Sequence, residues 1–226
     1  MLVAGGTGGL GRAVSLEFLN EGANVTVTYM VDAEFAALRA AAQANASRLA
    51  GHKVDVTNES AVRQLIEGIV SEHGRLDTLV NTVGGYAGGQ KLWESDGATL
   101  DKMLALNLRS GFELSRAAAK VMVGQGSGAI VNIAAKAAFD HPPGLGVYAA
   151  SKAAAVAMMD SLAADLKGTG VRVNSILPNI IDTEANRKAM PNANFSTWPK
   201  PEEIARVIAF LCSDDAKVIH GAAIPV

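Results

Sequence analysis

The sequence contains a single cysteine, Cys212, among its 226 residues, so no disulfide can form within the chain. No apolar run reaches the ~18 residues of a membrane span, and no secretory signal begins the chain. A low cysteine content suits a reducing compartment, and we expect a cytoplasmic protein with no membrane partner. The chain begins and ends in strand-like residues, and whether residues are missing at either end stays open.

Charge of one sign is also lacking. The net charge is −2 and no basic patch with interleaved aromatic residues occurs, so we expect no nucleic-acid partner. The four histidines are scattered without the spacing of metal ligands, so no metal site is expected.

Short β-rich runs alternate with longer helical stretches along the whole chain. Several of the runs are continuously apolar, as strands covered on both faces are. This alternation favours a doubly wound, Rossmann-like α/β fold, in which helices flank a parallel sheet of about seven strands. We expect strands at 2–4, 24–29, 52–56, 77–81, 129–134, 171–177 and 222–226, and helices near 10–21, 32–50, 59–73, 98–123, 147–167 and 201–213.

A glycine-rich turn separates the first strand from the first helix. Glycines permit a tight turn and close approach of a pyrophosphate, while the helix N-terminus offers free N–H groups to negative charge. This place in the chain predicts a dinucleotide-binding domain, which we expect to span residues 1–226 because no linker stands out. The predicted phosphate-binding residues are Gly5, Thr7, Gly8, Gly9, Leu10 and Gly11.

Tyr148 and Lys152 lie four residues apart and therefore on one face of a predicted helix. An unperturbed tyrosine pKa of about 10 is too high for efficient proton transfer near neutrality. A nearby lysine cation favours the phenolate, so we expect Lys152 to lower the pKa of Tyr148. The pair is predicted to transfer a proton beside a nicotinamide.

The order and spacing of these motifs resemble the short-chain dehydrogenase/reductase family over essentially the whole chain. Asp-Val-Thr at 55–57, Asn-Thr-Val-Gly at 81–84, Asn107 and the segment 178–183 carry the resemblance further. It implies an NAD(P)-dependent oxidoreductase acting on a small molecule. It also implies a homodimer or homotetramer paired through the helices at 98–123 and 147–167, although burial of these helices within one subunit is the alternative.

The family resemblance assigns roles to individual residues. It implies that Asp55 lies near the adenine, that Thr183 contacts the nicotinamide amide, and that Lys152 binds the ribose and tunes Tyr148. Asn107 would hold a water that connects Lys152 to solvent. The remaining residues placed along the cofactor are Tyr29, Val56, Asn81, Val83, Gly84, Pro178 and Ile181.

The choice between NAD and NADP stays open. The second strand ends in Tyr29 and Met30, which are neither an acid for the ribose of NAD nor an arginine for the phosphate of NADP. Asp32 could reach the ribose, but we rather expect it to cap the following helix. Arg12 and Arg39 are possible partners of a phosphate.

Ala135 stands where the family usually has a serine that hydrogen-bonds the substrate carbonyl. A missing donor of this kind can cost ~3–4 kcal/mol in the transition state. The segments 84–89, 134–148 and 182–198 resemble the quinonoid dihydropteridine reductases, a subgroup in which alanine also replaces that serine. We therefore expect a flat conjugated ring as substrate, stacked near Tyr86, with Ala135, His141 and Tyr148 in its pocket.

Two other functions stay open. One is a carbonyl reductase or alcohol dehydrogenase in which another donor replaces the serine. The other is a catalytically silent NAD(P)-binding sensor, which the alanine at 135 supports and which Tyr148, Lys152 and Asn107 argue against. The longest irregular stretch, residues 182–201, is predicted to form a lid over the substrate.

Overall fold

A seven-stranded parallel sheet runs through the computed structural model, which describes residues 1–226. The strand order is β3-β2-β1-β4-β5-β6-β7, and every neighbouring pair is parallel. This confirms the predicted Rossmann-like α/β fold. The strands are β1 (Leu2–Ala4), β2 (Val25–Tyr29), β3 (Leu49–Lys53), β4 (Thr78–Asn81), β5 (Gly128–Ile133), β6 (Val171–Leu177) and β7 (Ala222–Pro225).

Helices cover both faces of the sheet. They are α1 (Gly9–Asn20), α2 (Asp32–Ala41), α3 (Glu59–His73), α4 (Gly97–Leu104), α5 (Ser110–Gln125), α6 (Ala137–Asp140), α7 (Gly146–Asp165), α8 (Glu184–Ala189) and α9 (Pro201–Cys212). Val3 packs with buried residues of α1 and α9, whereas Leu2 and Ala4 pack with those of α3, α5 and α7. Successive residues of one strand thus point into two hydrophobic cores, which explains the continuous apolar runs.

The predicted helix at 32–50 is wrong in its second half, and the third strand is displaced. α2 ends at Ala41, a 3-10 turn (Gln43–Arg48) follows, and β3 already begins at Leu49. Leu49 is buried and pairs with Val25, so packing against β2 overrides the helix propensity of the alanine-rich stretch. Asp55 therefore lies beyond β3 and not at its end.

Two further segments differ from the prediction. The expected helix at 98–123 is interrupted by a π-helical turn (Ala105–Arg109) between α4 and α5. The stretch 182–201 contains α8 and a 3-10 turn (Phe195–Thr197), so it is less irregular than expected. No helix of the structure is long and apolar enough to cross a membrane.

The strand order places a crevice at the carboxyl ends of β1 and β4. β1 lies between β2 and β4, so the connections from β1 and β4 run to opposite sides of this point. Ligands of open parallel sheets bind in such a crevice. The loops that follow β1, β4, β5 and β6 meet there, and they carry nearly all of the predicted site residues.

Candidate active site

The glycine-rich turn leads from β1 directly into α1 at this crevice. Gly5 has a φ of 72°, and its carbonyl oxygen accepts a hydrogen bond from Gly8 N at 3.1 Å. A Cβ on Gly11 would collide with the same carbonyl oxygen, so the turn closes only with glycine at that position. No side chain caps the start of α1, and Gly8 and Gly9 are exposed. The helix N-terminus is thus open to a pyrophosphate, and Leu10, whose side chain is buried, can offer only its backbone.

Side chains at the end of β2 and the start of α2 contact each other or the neighbouring strand β3. Tyr29 stacks on Phe35 with ring centroids 4.8 Å apart. The α2 residue Asp32 does not cap its helix, because Val31 holds the cap position, and its carboxylate instead pairs with Lys53 at 2.7 Å. This ion pair lowers the pKa of Asp32. The predicted capping role of Asp32 is therefore wrong.

A second carboxylate reaches the glycine turn from α2. Glu34 accepts a hydrogen bond from the hydroxyl of Thr7 at 2.9 Å. Neither Arg12 nor Arg39 forms an ion pair within the chain, so both guanidinium groups are free of internal partners. The adenosine end of the crevice thus presents the Glu34 carboxylate at the turn.

The predicted site residues that follow β3 and β4 form hydrogen bonds within their own loops or are buried. Asp55 is exposed, and its Oδ1 accepts hydrogen bonds from the N–H and the hydroxyl of Thr57 at 2.9 and 2.7 Å. Val56 is buried, so only its backbone can contact a ligand. Asn81 is buried as well; its Nδ2 donates to Asn132 Oδ1 at 3.0 Å, and its Oδ1 accepts from Val83 N at 3.2 Å. Asn81 thus fixes the turn after β4.

The segment after β6 lies beside the start of α1. Thr183 caps α8 by accepting a hydrogen bond from Asn186 N, and its methyl carbon lies 2.9 Å from the place of a Cβ on Gly9. Pro178 accepts a hydrogen bond from Lys136 N at 2.9 Å, and Ile181 packs on the core. A polar groove of about 270 Å³ lies here, lined by Gly9, Asp182, Thr183, Glu184, Arg187, Lys200, Pro201 and Glu202.

An ion pair and an aromatic cluster hold the segment 182–201 together. Arg187 donates to both carboxylate oxygens of Asp182, at 2.5 and 2.7 Å, and thereby lowers the pKa of that carboxyl. The guanidinium also lies over the ring of Phe195 at 4.8 Å, and Phe195 contacts Trp198. The predicted lid is therefore internally ordered next to the glycine turn.

Tyr148 and Lys152 lie one turn apart on α7. Lys152 is only 5% exposed, and its Nζ donates a hydrogen bond to the carbonyl oxygen of Ile133, the last residue of β5, at 2.9 Å. The Tyr148 ring meets Tyr86 edge to face, with centroids 5.2 Å apart. The Tyr148 hydroxyl has no hydrogen-bond partner within the chain, so it is free to bind a ligand.

Burial dominates the electrostatics of the pair. It raises the pKa of Tyr148 to about 12, with a smaller contribution from Tyr86, and it lowers the pKa of Lys152 to about 8. The expectation that Lys152 lowers the pKa of Tyr148 is wrong for this structure, because the ammonium group is directed to the Ile133 carbonyl. Tyr148 therefore holds its proton at neutral pH, but its raised pKa lies further from neutrality than that of a free tyrosine and does not by itself make the phenol an efficient acid.

Asn107 lies in the π-helical turn and joins the other two candidate catalytic residues. Its Oδ1 accepts a hydrogen bond from Gly85 N at 2.8 Å, and its Nδ2 donates to Gly85 O at 3.1 Å. A Cβ on Gly84 would lie 2.9 Å from Asn107 Oδ1 and 3.1 Å from Lys152 Nζ. The structure thus brings Asn107 and Lys152 together around Gly84.

Sequence reasoning missed one polar residue of this site, Ser151. It is buried, its hydroxyl donates to the Tyr148 carbonyl oxygen at 2.7 Å, and it accepts from Asn107 Nδ2 at 2.9 Å. The signal was its place directly before Lys152, on the helix that carries the Tyr-Lys pair.

The predicted substrate residues differ in whether they contact Tyr148. Ala135 is buried just beyond β5 and offers no side-chain donor. Tyr86 is 69% exposed and contacts Tyr148, and its loop is tied to the segment before α7 by a hydrogen bond from Gly89 N to Gly144 O. His141 is exposed at the end of α6 with a φ of 46°, and its ring forms no hydrogen bond, so nothing ties it to Tyr148.

A groove of about 590 Å³ lies elsewhere, on the outer face of α4, α5 and α7. None of its lining residues belongs to the glycine turn or to the Tyr148 pocket. They are Asp101, Leu104, Ala105, Leu108, Arg109, Phe112, Glu113 and Met158. No group of three or more His, Cys, Asp or Glu side chains could hold a metal ion in the structure.

Known proteins share this architecture across the whole chain. The family model described as short chain dehydrogenase matches residues 1–194. The 3-oxoacyl-[acyl-carrier-protein] reductase FabG of Thermotoga maritima is 29% identical over 231 residues, which cover 99% of this chain and 94% of that protein. D-threitol dehydrogenase of Mycolicibacterium smegmatis is 33% identical over 233 residues, with coverage of 98% and 88%. The solved structure "ElxO with NADP Bound" superposes with a TM-score of 0.94 at 27% identity, covering 100% of this chain and 95% of that one.

Proposed function

This chain belongs to the short-chain dehydrogenase/reductase family and is an NAD(P)-dependent oxidoreductase, and on that premise we propose that it reduces a small molecule with Tyr148 as proton donor. The observation that carries the proposal is the Tyr148 hydroxyl, which has no hydrogen-bond partner within the chain and lies one helical turn from the buried Lys152. A general acid must hold its proton at the working pH and be free to reach the substrate.

The residues around the crevice fit a nicotinamide dinucleotide, which supplies the transferred hydride when bound. The open N-terminus of α1 and the glycine turn would hold the pyrophosphate. Thr183, packed against Gly9, would hold the nicotinamide end, and Asp55 would lie at the adenine end. Lys152 would bind the ribose.

We also propose that NAD binds more tightly than NADP. The carboxylate of Glu34 is held at the turn by Thr7, and the nearby cation Lys53 is already paired with Asp32. An added phosphate group would be repelled by the Glu34 carboxylate at the turn, and neither of the unpaired cations Arg12 and Arg39 forms an ion pair with that carboxylate. Dissociation constants for the two reduced cofactors, measured by fluorescence titration, test this preference. Tighter binding of NADPH would contradict it.

A flat conjugated ring is the substrate that we propose first. Ala135 cannot donate a hydrogen bond, and a ring that spreads the incoming charge needs such a donor less than a ketone does. The exposed face of Tyr86, edge to face with Tyr148, offers a stacking surface at the proton donor. A quinonoid dihydropteridine has this chemistry.

A carbonyl or hydroxyl substrate is the second candidate. FabG is named as a reductase of 3-oxoacyl groups and the D-threitol enzyme as a dehydrogenase of a polyol, and both names favour this alternative. It requires a donor other than residue 135 for the substrate oxygen. A catalytically silent sensor would contradict the assignment to the oxidoreductases, and the intact Tyr148, Lys152 and Asn107 cluster argues against it.

The cellular location, the domain organisation and the oligomeric state of the enzyme are also proposals. We place it in the cytoplasm, where its single cysteine would stay reduced. We infer that residues 1–226 act as one domain and that a second copy covers the groove beside Phe112, to give a homodimer or a homotetramer. The segment 182–201 would act as a lid.

The proposed function is tested by measuring the oxidation of NADH or NADPH with quinonoid dihydropterin and with a panel of ketones. The reverse reaction, reduction of NAD or NADP, is measured with polyols. Tyr148→Phe is expected to lower kcat by about 100-fold or more, the usual contribution of a general acid, while cofactor binding is retained. Ser60→Ala, which also removes one hydroxyl but lies exposed on α3, is the control and should keep kcat. An equal kcat for the Tyr148→Phe and wild-type enzymes would sink the assignment, and cofactor binding without any turnover would favour the sensor.

A further inference from the structure

Ser151 forms two side-chain hydrogen bonds, one within α7 and one to Asn107. Its side chain is fully buried between Tyr148 and Lys152 on α7. A serine hydroxyl has one proton to donate, and the Tyr148 carbonyl oxygen at 2.7 Å can only accept. The lone pairs of Ser151 Oγ must therefore face Asn107, whose Nδ2 lies 2.9 Å away. With its proton on the Tyr148 carbonyl oxygen, the hydroxyl favours the amide nitrogen of Asn107 as its neighbour, in agreement with the two hydrogen bonds between Asn107 and Gly85.

The orientation selected in this way matters at Lys152. With Nδ2 on Ser151, the Asn107 Oδ1 lies on the side of Gly84, where Lys152 Nζ also lies. An ammonium group can only donate hydrogen bonds, so a carbonyl oxygen is the favourable neighbour and an amide NH₂ group is not. Gly85 N–H reinforces the same orientation by donating to Oδ1 at 2.8 Å.

The backbone around Asn107 depends on this contact as well. Asn107 lies within the π-helical turn between α4 and α5, a rare conformation that is frequent at functional sites. The contact with Ser151 is its only side-chain hydrogen bond to α7, since its other partners are Gly85 and Met103. Ser151 thus connects the turn to the helix of the proton donor.

We propose that Ser151 is a positioning residue, whose hydroxyl orients the Asn107 amide toward Lys152 and fastens the π-helical turn to α7. The catalytic consequence rests on the proposed reductase function, whereas the contact itself does not. Ser151 would touch neither substrate nor cofactor; it would act through Asn107.

Hydrogen exchange tests the contact without turnover. In Ser151→Ala, backbone amides of residues 103–111 are expected to exchange about tenfold faster than in the wild type, because the turn loses its tie to α7. Ser115→Ala is the matched control: this serine is equally buried, on α5, but its hydroxyl contacts only Met159 Sδ at 3.8 Å. Its exchange at 103–111 should equal that of the wild type.

Kinetics test the consequence. Ser151→Ala is expected to lower kcat about tenfold with KM within twofold, since Asn107 loses its side-chain hydrogen bond to the helix of the proton donor, which disturbs the reacting groups more than substrate binding. Ser151→Thr, which keeps the hydroxyl, should restore most of kcat, and Ser151→Cys serves if the threonine variant does not fold. The double variant Asn107→Ala, Ser151→Ala should be no slower than Asn107→Ala alone, because the serine acts through the asparagine.

Each outcome decides the proposal. The proposal would be overturned if the double variant lost kcat by the product of the two single-variant factors. It would also be overturned if the amides of residues 103–111 exchanged in Ser151→Ala as fast as in the wild type. A kcat that Ser151→Thr fails to raise above that of Ser151→Ala would overturn it too. If the wild-type enzyme reduces none of the substrates, the proposed function fails, and the exchange measurement alone then decides whether Ser151 positions Asn107.

Discussion

Ala135 stands at the position where the family resemblance implies a serine. Ala135→Ser would place a hydroxyl just beyond β5, at the position where the family resemblance implies a donor to the substrate carbonyl. We expect kcat/KM for simple ketones to rise at least tenfold, because a donor to the developing oxyanion is worth up to ~3–4 kcal/mol. Turnover of a conjugated ring should change less than threefold, since its charge is delocalised.

The matched control for this substitution is Ala137→Ser, a less buried alanine two residues along the same segment. It should leave both activities unchanged. A ketone rate that Ala135→Ser leaves unchanged would show that another group already serves as donor, and a carbonyl substrate would then become the better proposal.

The sequence predicted which residues meet at the site but not how their environment changes them. Tyr148, Lys152 and Asn107 were found from spacing and family resemblance, and the structure brings them to one place. The pKa of Tyr148 was expected to fall and instead rises to about 12, because burial depends on packing that no local spacing encodes. Ser151 escaped notice for the same reason: its partner, Asn107, is distant in sequence.

At the scale of elements, the closure of the glycine turn depends on the absence of a side chain at Gly11. A Cβ there would collide with the Gly5 carbonyl oxygen. Gly11→Ala is therefore expected to open the turn, weaken cofactor binding at least tenfold and lower the free energy of unfolding by about 1–3 kcal/mol. Fluorescence titration and urea denaturation measure the two effects.

Gly8→Ala is the control from the same turn. A Cβ on Gly8 would lie 3.6 Å from the nearest atom, Gly5 O, an ordinary van der Waals contact. The free energy of unfolding of Gly8→Ala should therefore match the wild type. If Gly11→Ala were as stable as Gly8→Ala, the turn would have to relax easily, contrary to the crowding seen at Gly11.

Element boundaries were predictable where hydrophobic periodicity set them and were missed where tertiary contacts did. α3 and β6 have the predicted bounds, because their apolar residues repeat clearly. β3 was placed too late, because its pairing with β2 determines where it starts. The π-helical turn at Asn107 was invisible, since periodicity over 98–123 averages out one inserted residue.

At the scale of the whole molecule, the buried Lys152 makes stability depend on pH. Its pKa is lowered from 10.5 to about 8, so between these values the unfolded chain binds a proton that the folded chain has released. Stability therefore rises with pH across this window, by up to ~1.4 kcal/mol per pH unit, and below pH 8 the penalty for the buried charge is fully present.

Comparison with Lys152→Met isolates this effect, because other titrating groups are common to both proteins. Urea unfolding at several pH values between 7.5 and 10 should show the wild type gaining stability relative to the variant by ~1–3 kcal/mol. If the free energy of unfolding changed with pH equally in the wild type and in Lys152→Met, the pKa values of Lys152 in the folded and unfolded states would be equal.

The second whole-molecule prediction concerns the proposed self-association through the groove on α4, α5 and α7. Phe112, 44% exposed, lies in it with Leu104, Leu108 and Met158, and charged side chains of Arg109 and Glu113 line it as well. An apolar centre combined with charged groups is typical of a protein interface, and a second copy of the chain would present the same surface.

Phe112→Glu would bury two unpaired carboxylates in such an interface, so we expect light scattering to report half the wild-type mass. The control is Phe210→Glu, a phenylalanine of equal exposure on α9, which packs on the other face of the sheet, and this variant should keep the pairing through Phe112. An unchanged mass for Phe112→Glu would mean that the groove stays open to solvent and that any oligomer forms elsewhere on the molecule.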